Sequence, residues 1–163
     1  MQTFCDEFIL KDLVTITAIP VGDVAVGPMA LLSPKITTSQ LTVAYSRAVV
    51  IGRVPATEDG DIIPIISDSG KAKDDVSDAV AGRKHKVAVS CDVDDREPHT
   101  WDLLRRLEQE PFCLMLTYRG GEYGFAYADE DTYACTVERD DKDTAVKFSI
   151  ENLSGIQRIV DPV

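Results

Sequence analysis

Residues 92–112, DVDDREPHTWDLLRRLEQEPF, interrupt a chain that otherwise alternates apolar and polar residues, and their reading decides the fold. Pro98 suits a first helical turn, where a backbone N–H has no intrahelical partner to lose. Asp94, Asp95 and Glu97 complement the positive end of a helix dipole. Trp101, Leu104 and Leu107 recur at helical spacing, Leu103 widens the stripe, and Arg105 and Arg106 point elsewhere. Pro111 ends the run, since a proline ring blocks the preceding turn. The spacing predicts one helix over about 97–109, anchored on a sheet by Trp101, Leu104 and Leu107.

Working outward, the stretch on the N-terminal side, KHKVAVSCDVD (84–94), is the clearest strand. His85, Val87, Val89, Cys91 and Val93 fall on one face, and Lys84, Lys86, Ser90, Asp92 and Asp94 on the other. Beyond the helix, FCLMLTY leads through the glycine-bearing turn RGGE into YGFAYA. DTYACTVERD and TAVKFSIEN alternate in the same way, the second with Val146, Phe148 and Ile150 inward, and GIQRIV is a last short strand or tail. Near the start, Val14, Ile16 and Ala18 oppose Thr15 and Thr17, Leu41, Val43 and Tyr45 face one way, and Ala48 to Ile51 form a buried run. The expected fold is mainly β: an antiparallel β-sandwich or barrel with one inserted α-helix, as a single domain over 1–163.

Residues 53–83 break this pattern. They are rich in Asp, Gly, Ser and Ala and read as a long polar loop or assembly arm. Within them lies one apolar patch, Ile62, Ile63, Ile65 and Ile66 around Pro64. A buried isoleucine is worth roughly 1.5–3 kcal/mol, so the patch is expected either on a neighbouring subunit or as an edge strand of the chain's own sheet.

Catalytic, cofactor-binding and metal-ligating sets are not expected. The acidic runs at 92–95, 129–131 and 139–143 lack the ligand spacing and sharp-turn glycine of a calcium loop, and aspartate is common in turns. His85 shares a face with Cys91, but six residues of strand is about 20 Å, beyond hydrogen-bond reach. His99 falls in the first helical turn. Cys5, Cys91, Cys113 and Cys135 form no CxxC pair and read as reduced thiols, Cys91 and Cys135 on the apolar side of their strands. A net charge of −11 opposes binding to nucleic acid or to an anionic membrane, and the sequence holds no stretch of transmembrane length. The first residues lack the positive n-region of a signal peptide, so synthesis in the cytoplasm is expected.

The order of elements, with KHKVAVSCDVD, PHTWDLLRRLEQ, DTYACTVERD, TAVKFSIEN and the 53–83 segment, resembles the tail-tube family of phages and contractile injection systems. That resemblance implies a non-enzymatic virion subunit, made in the bacterial cytoplasm. Its sheets would join into a ring, commonly hexameric, around a lumen, and it would meet other tail proteins. It implies an oligomer interface at Ile62, Ile63, Ile65 and Ile66. Thr132, Thr136, Glu138, Ser149 and Glu151 become the candidate lumen or exposed face, with Lys147 among them, and the acidic chain would let DNA slide past. The alternative is a monomeric ligand-binding β-barrel or sandwich whose mouth is lined by Tyr118, Tyr123, Phe125, Tyr127 and Tyr133.

Overall fold

β-branched alternation and polar turns divide the chain as that reading expects, with further strands in its first half. The computed structural model describes residues 13–27, 30, 33–52, 61–66, 69–79, 82–94, 98–139 and 143–160. In chain order come β1 (Leu13–Pro20), β2 (Val24–Val26), β3 (Lys35–Thr37), β4 (Leu41–Val43), β5 (Val49–Gly52), β6 (Asp61–Pro64), β7 (Lys71–Ala79) and β8 (Gly82–Val93). Then follow α1 (Pro98–Gln109), β9 (Phe112–Tyr118), β10 (Tyr123–Ala126), β11 (Tyr133–Arg139), β12 (Thr144–Asn152) and β13 (Ile156–Val160).

The strands form a seven-stranded sheet, β3-β13-β10-β9-β1-β5-β6, a four-stranded sheet, β11-β12-β8-β7, and a ribbon of β2 with β4. Neither large sheet closes on itself, so the architecture is sandwich-like and not a barrel. Two pairings are parallel, β5 with β6 and β13 with β3, each at one end of the seven-stranded sheet. GIQRIV is therefore no tail: β13 lies between β10 and β3.

Alternation along β9 shows how three layers arise. Phe112, Leu114, Leu116 and Tyr118 turn towards the four-stranded sheet, where the Phe112 ring lies 5.9 Å from that of Tyr133, and Tyr133 lies 6.3 Å from Phe148. Ile16, Ile51 and Ile63 join them from one side, and Val87, Val89, Cys91, Val146 and Ile150 from the other. Cys113 and Met115 turn the opposite way, under the β2–β4 ribbon. There Gln157, fully buried, donates through Nε2 to the carbonyls of Ala30 and Ser33, the latter at 2.7 Å. The β9–β10 turn uses its glycine as expected: Gly121 has φ 86°, and Tyr118 N–H donates to Glu122 O at 2.9 Å.

Helix α1 covers the open side of the sandwich, between β11 and β6. Its buried stripe is Thr100, Leu103, Leu104 and Leu107. Trp101 is not an anchor: its side of the helix is turned outwards, 47% of the residue is exposed, and the Arg139 guanidinium stacks 4.3 Å from the ring centroid. The helix is pinned at its C-terminal end, where Tyr133 Oη donates to Leu107 O at 2.7 Å and supplies one of the partners that the last carbonyls lack. Arg106 reaches Arg47 O at 2.7 Å and Glu110 at 2.8 Å.

The segment 53–83 is the main correction. Its residues 53–60 lie outside the described part, but it also contains β6 and the nine-residue β7. Polar composition concealed β7: of its described core-side positions Asp74 is charged and Val76 is largely exposed, which leaves Ala72. β6 and β7 run along the same side of β8: Ile65 pairs with Val93, and Lys71 to Ala79 pair with Ser90 to Gly82. One stretch of chain thus leaves the seven-stranded sheet and enters the four-stranded one. Ser69 splices the corner, its hydroxyl donating to Ile66 O at 2.6 Å and accepting from Asp92 N–H at 3.0 Å.

Candidate functional site

The four-stranded sheet has one face in the core and one in solvent, and each of its ends is a strand without a hydrogen-bonded neighbour on its outer side among the described residues. These edges are long, nine residues in β7 and seven in β11. Unpaired backbone donors and acceptors along such an edge are a template for another strand.

Register places the exposed face row by row. Thr136, Lys147, Ser90 and Lys71 form one row, Ala134, Ser149, Ala88 and Lys73 the next, and Glu151, Lys86 and Asp75 a third. Glu138, Ala145 and Asp92 form a row beyond the first. Thr136, Glu138, Ser149 and Glu151 therefore do share one face, with Lys147. Thr132 does not: it belongs to the turn before β11, where its hydroxyl accepts from Asp129 N–H at 3.0 Å and its carbonyl from Glu151 N–H at 3.2 Å. The face carries Lys71, Lys73, Lys84, Lys86 and Lys147 against Asp75, Asp92, Glu138 and Glu151, whereas the chain carries −11. Lys147 lies 3.2 Å from Glu138, Lys84 lies 3.4 Å from Glu151, and Lys73 lies 3.4 Å from Asp75. The acid excess is therefore elsewhere on the molecule, and this face is close to neutral.

The isoleucine patch is folded onto the chain's own sheets. Ile63 is fully buried beside Ile51, Ile65 bridges to Val93, and Ile62 and Ile66 are half-buried at the edge and corner. Ile63 is consequently committed to the core, leaving Ile62, Ile65 and Ile66 with partly exposed surface.

One polar feature went unread in the sequence, and another, the DED run, is the turn that its aspartates led one to expect. Asp74 occupies an inward position on β7, where an apolar residue was due. Its Oδ1 lies 2.8 Å from His85 Nδ1, and its Oδ2 accepts Ile156 N–H at 3.0 Å. His85, expected as an isolated inward histidine, is thereby half of a pair. The DED run is a capped turn, Asp129 Oδ1 accepting the N–H groups of Asp131 and Thr132 at 2.9 and 3.0 Å. Among the described residues no three His, Cys, Asp or Glu side chains are grouped to hold a metal ion.

The thiols sit in surroundings that keep them protonated. Burial, first, and then Asp92 and Cys135 push Cys91 up to about 12, and burial pushes Cys113 up to about 11 against a lowering backbone hydrogen bond at Ala128.

The five aromatics proposed for a ligand mouth are dispersed. Tyr118 and Phe125 are buried on opposite faces of the seven-stranded sheet, and Tyr133 lies tilted between Phe112 and Phe148. Tyr123 alone among them lines a groove of about 430 Å³ between ribbon and sheet, with Thr38, Leu41, Val43, Tyr45, Met115 and Ile159. Tyr45 donates to Met115 Sδ across 3.8 Å, and burial, with the Tyr123 phenol facing it, raises the Tyr45 pKa.

No family model, no curated protein and no solved structure matches this chain. Among the described residues no helix is long and apolar enough to cross a membrane.

Proposed function

We propose that the chain is a non-enzymatic structural subunit that associates with copies of itself through the edges of its four-stranded sheet, in a ring or tube of the phage-tail kind. The observation that carries this reading is the contrast in edge length: β7 and β11 are long, both bound the same sheet, and neither has a strand on its outer side among the described residues. Pairing β7 of one copy with β11 of the next is a head-to-tail contact, which closes into a ring if the rotation permits. β7 comes from the 53–83 segment, so the sheet edge and the supposed arm are one feature. The lysines and aspartates of KAKDDVSDA discourage indiscriminate pairing and admit a strand of matching charge. In such a ring the exposed face, with Thr136, Glu138, Ser149 and Glu151, would line the lumen. That lumen would be near neutral, not strongly acidic. A hexamer, contacts with other tail proteins and a place in the virion follow from the resemblance.

Light scattering over a concentration series, with electron micrographs of the same fractions, tests the reading. Rings or tubes support it; a monomer at every concentration refutes it. In that event the Tyr45–Tyr123 groove favours the second reading, a monomer taking a small apolar ligand, and quenching of tyrosine emission on ligand titration would report it.

A further inference from the structure

Asp74 is a costly residue where it stands. An ionised carboxylate turned inward from a sheet loses hydration, and its neighbours must return the lost hydrogen bonds. They do so from two directions: His85 on the adjoining strand β8, and the backbone N–H of Ile156 at the start of β13, in the other sheet. The preceding residue is built around this contact. Gly155 has φ 66°, and a Cβ there would overlap both the Asp74 carboxylate and the His85 ring. Four residues before Asp74, Gly70 lies so close to β1 that a Cβ would stand 2.5 Å from Leu13 O. β7 is therefore tied to the seven-stranded sheet at two points, by close packing just before it at Gly70 and by the hydrogen bond from Ile156 N–H to Asp74. Farther along, Val76 is 52% exposed.

An edge strand is bonded on one side only, and such strands lie at the labile end of a fold. We propose that the Asp74 latch, with His85 and Ile156 N–H, is a positioning device that holds β7 extended and in register so that it can accept a strand from a second copy of the chain. This inference rests on the edge-pairing reading above and adds what prepares the edge. Preorganisation lowers the ordering cost at association, so removing the latch weakens assembly more than it weakens the fold.

The test combines amide hydrogen exchange with sedimentation on the full chain, for the wild type, Asp74→Ala, Asp74→Asn and His85→Gln. Exchange over 71–79 is expected to speed up by about tenfold or more in Asp74→Ala, which loses both carboxylate hydrogen bonds, with β9 and β12 still protected. The concentration needed for assembly is expected to rise by a similar factor. Asp74→Asn, which keeps an acceptor for Ile156 N–H, and His85→Gln, which spares that bond, should fall between the two. Should Asp74→Ala unfold, these two variants carry the comparison. Unchanged protection over 71–79, or assembly equal to wild type once protection is lost, overturns the latch and leaves edge pairing standing. A wild type that never assembles overturns edge pairing itself, and the latch's part in assembly with it.

Discussion

The two large sheets treat their edges in opposite ways. The seven-stranded sheet ends in β3, three residues long, and in β6, four residues long and closed by Pro64. A short edge, or one bearing proline, offers few donors to an incoming strand. The four-stranded sheet ends in strands of nine and seven residues. Both sheets bury the same kinds of side chain in one cluster, so the difference does not lie in how they are stabilised. One set of edges is short and the other long and without a further strand among the described residues, and a fold's openness to partners can be read from its edges more readily than from its core.

The comparison breaks first if the sheets are not one cooperative unit. Phe148→Ala removes a ring wedged between them and is expected to cost about 3–5 kcal/mol, read as a single transition in denaturant by far-UV circular dichroism and tyrosine fluorescence. Two separated transitions would make them independent bodies. Leu104→Ala, which opens the side where α1 spans β6 and β11, is expected to cost about 2–5 kcal/mol, whereas Trp101→Ala should cost only about 0.5–1 kcal/mol, the worth of an exposed cation–π stack. Equal losses would restore the tryptophan as an anchor.

Alkali probes both sides of the seven-stranded sheet together. Burial raises Cys91 from 9.0 to about 12, Cys113 from 9.0 to about 11, and Tyr118 from 10.0 to about 12, Asp74 adding to the last. The folded chain holds these protons more tightly than the unfolded one. Their contribution is thus intact below pH 9 and is lost as the pH climbs through 11 and 12. Denaturation midpoints should hold level to about pH 9 and then fall; a decline that starts near pH 7 would contradict the burial. The smallest effect on stability is expected at the open edge. Asp75→Lys should leave the monomer within about 0.5 kcal/mol of wild type while weakening association, read by denaturation and by sedimentation. A variant that associates as before would move the contact away from β7.

Much of this fold was legible because its strands bury one face. Val87, Val89, Cys91 and Val93, then Val146, Phe148 and Ile150, announce their side by alternation, and Pro98 and Pro111 bracket the helix. β7 was not legible, because an edge strand with a solvent face needs few apolar residues, and Asp74 spoils the alternation at the position that ties it down. Trp101 misled for a different reason: helical spacing admits it to the stripe, but the helix is rotated so that Thr100 and Leu103 take the inner side. The Tyr45–Tyr123 groove joins residues far apart in the chain, which no local pattern can reveal.

The Ser69 corner has a mechanical consequence. β6 and β7 are one covalent run shared by two sheets, so a pull along β7 does not have to pass through side chains. It travels along the backbone to β6, which lies parallel to β5 from Asp61 opposite Val49 to Pro64 opposite Gly52. Tension along paired strands loads all the bonds of that ladder at once, in shear, instead of opening them one after another. The corner thus delivers axial load on the open sheet to the more deeply buried one, as a tie rod delivers load to a wall.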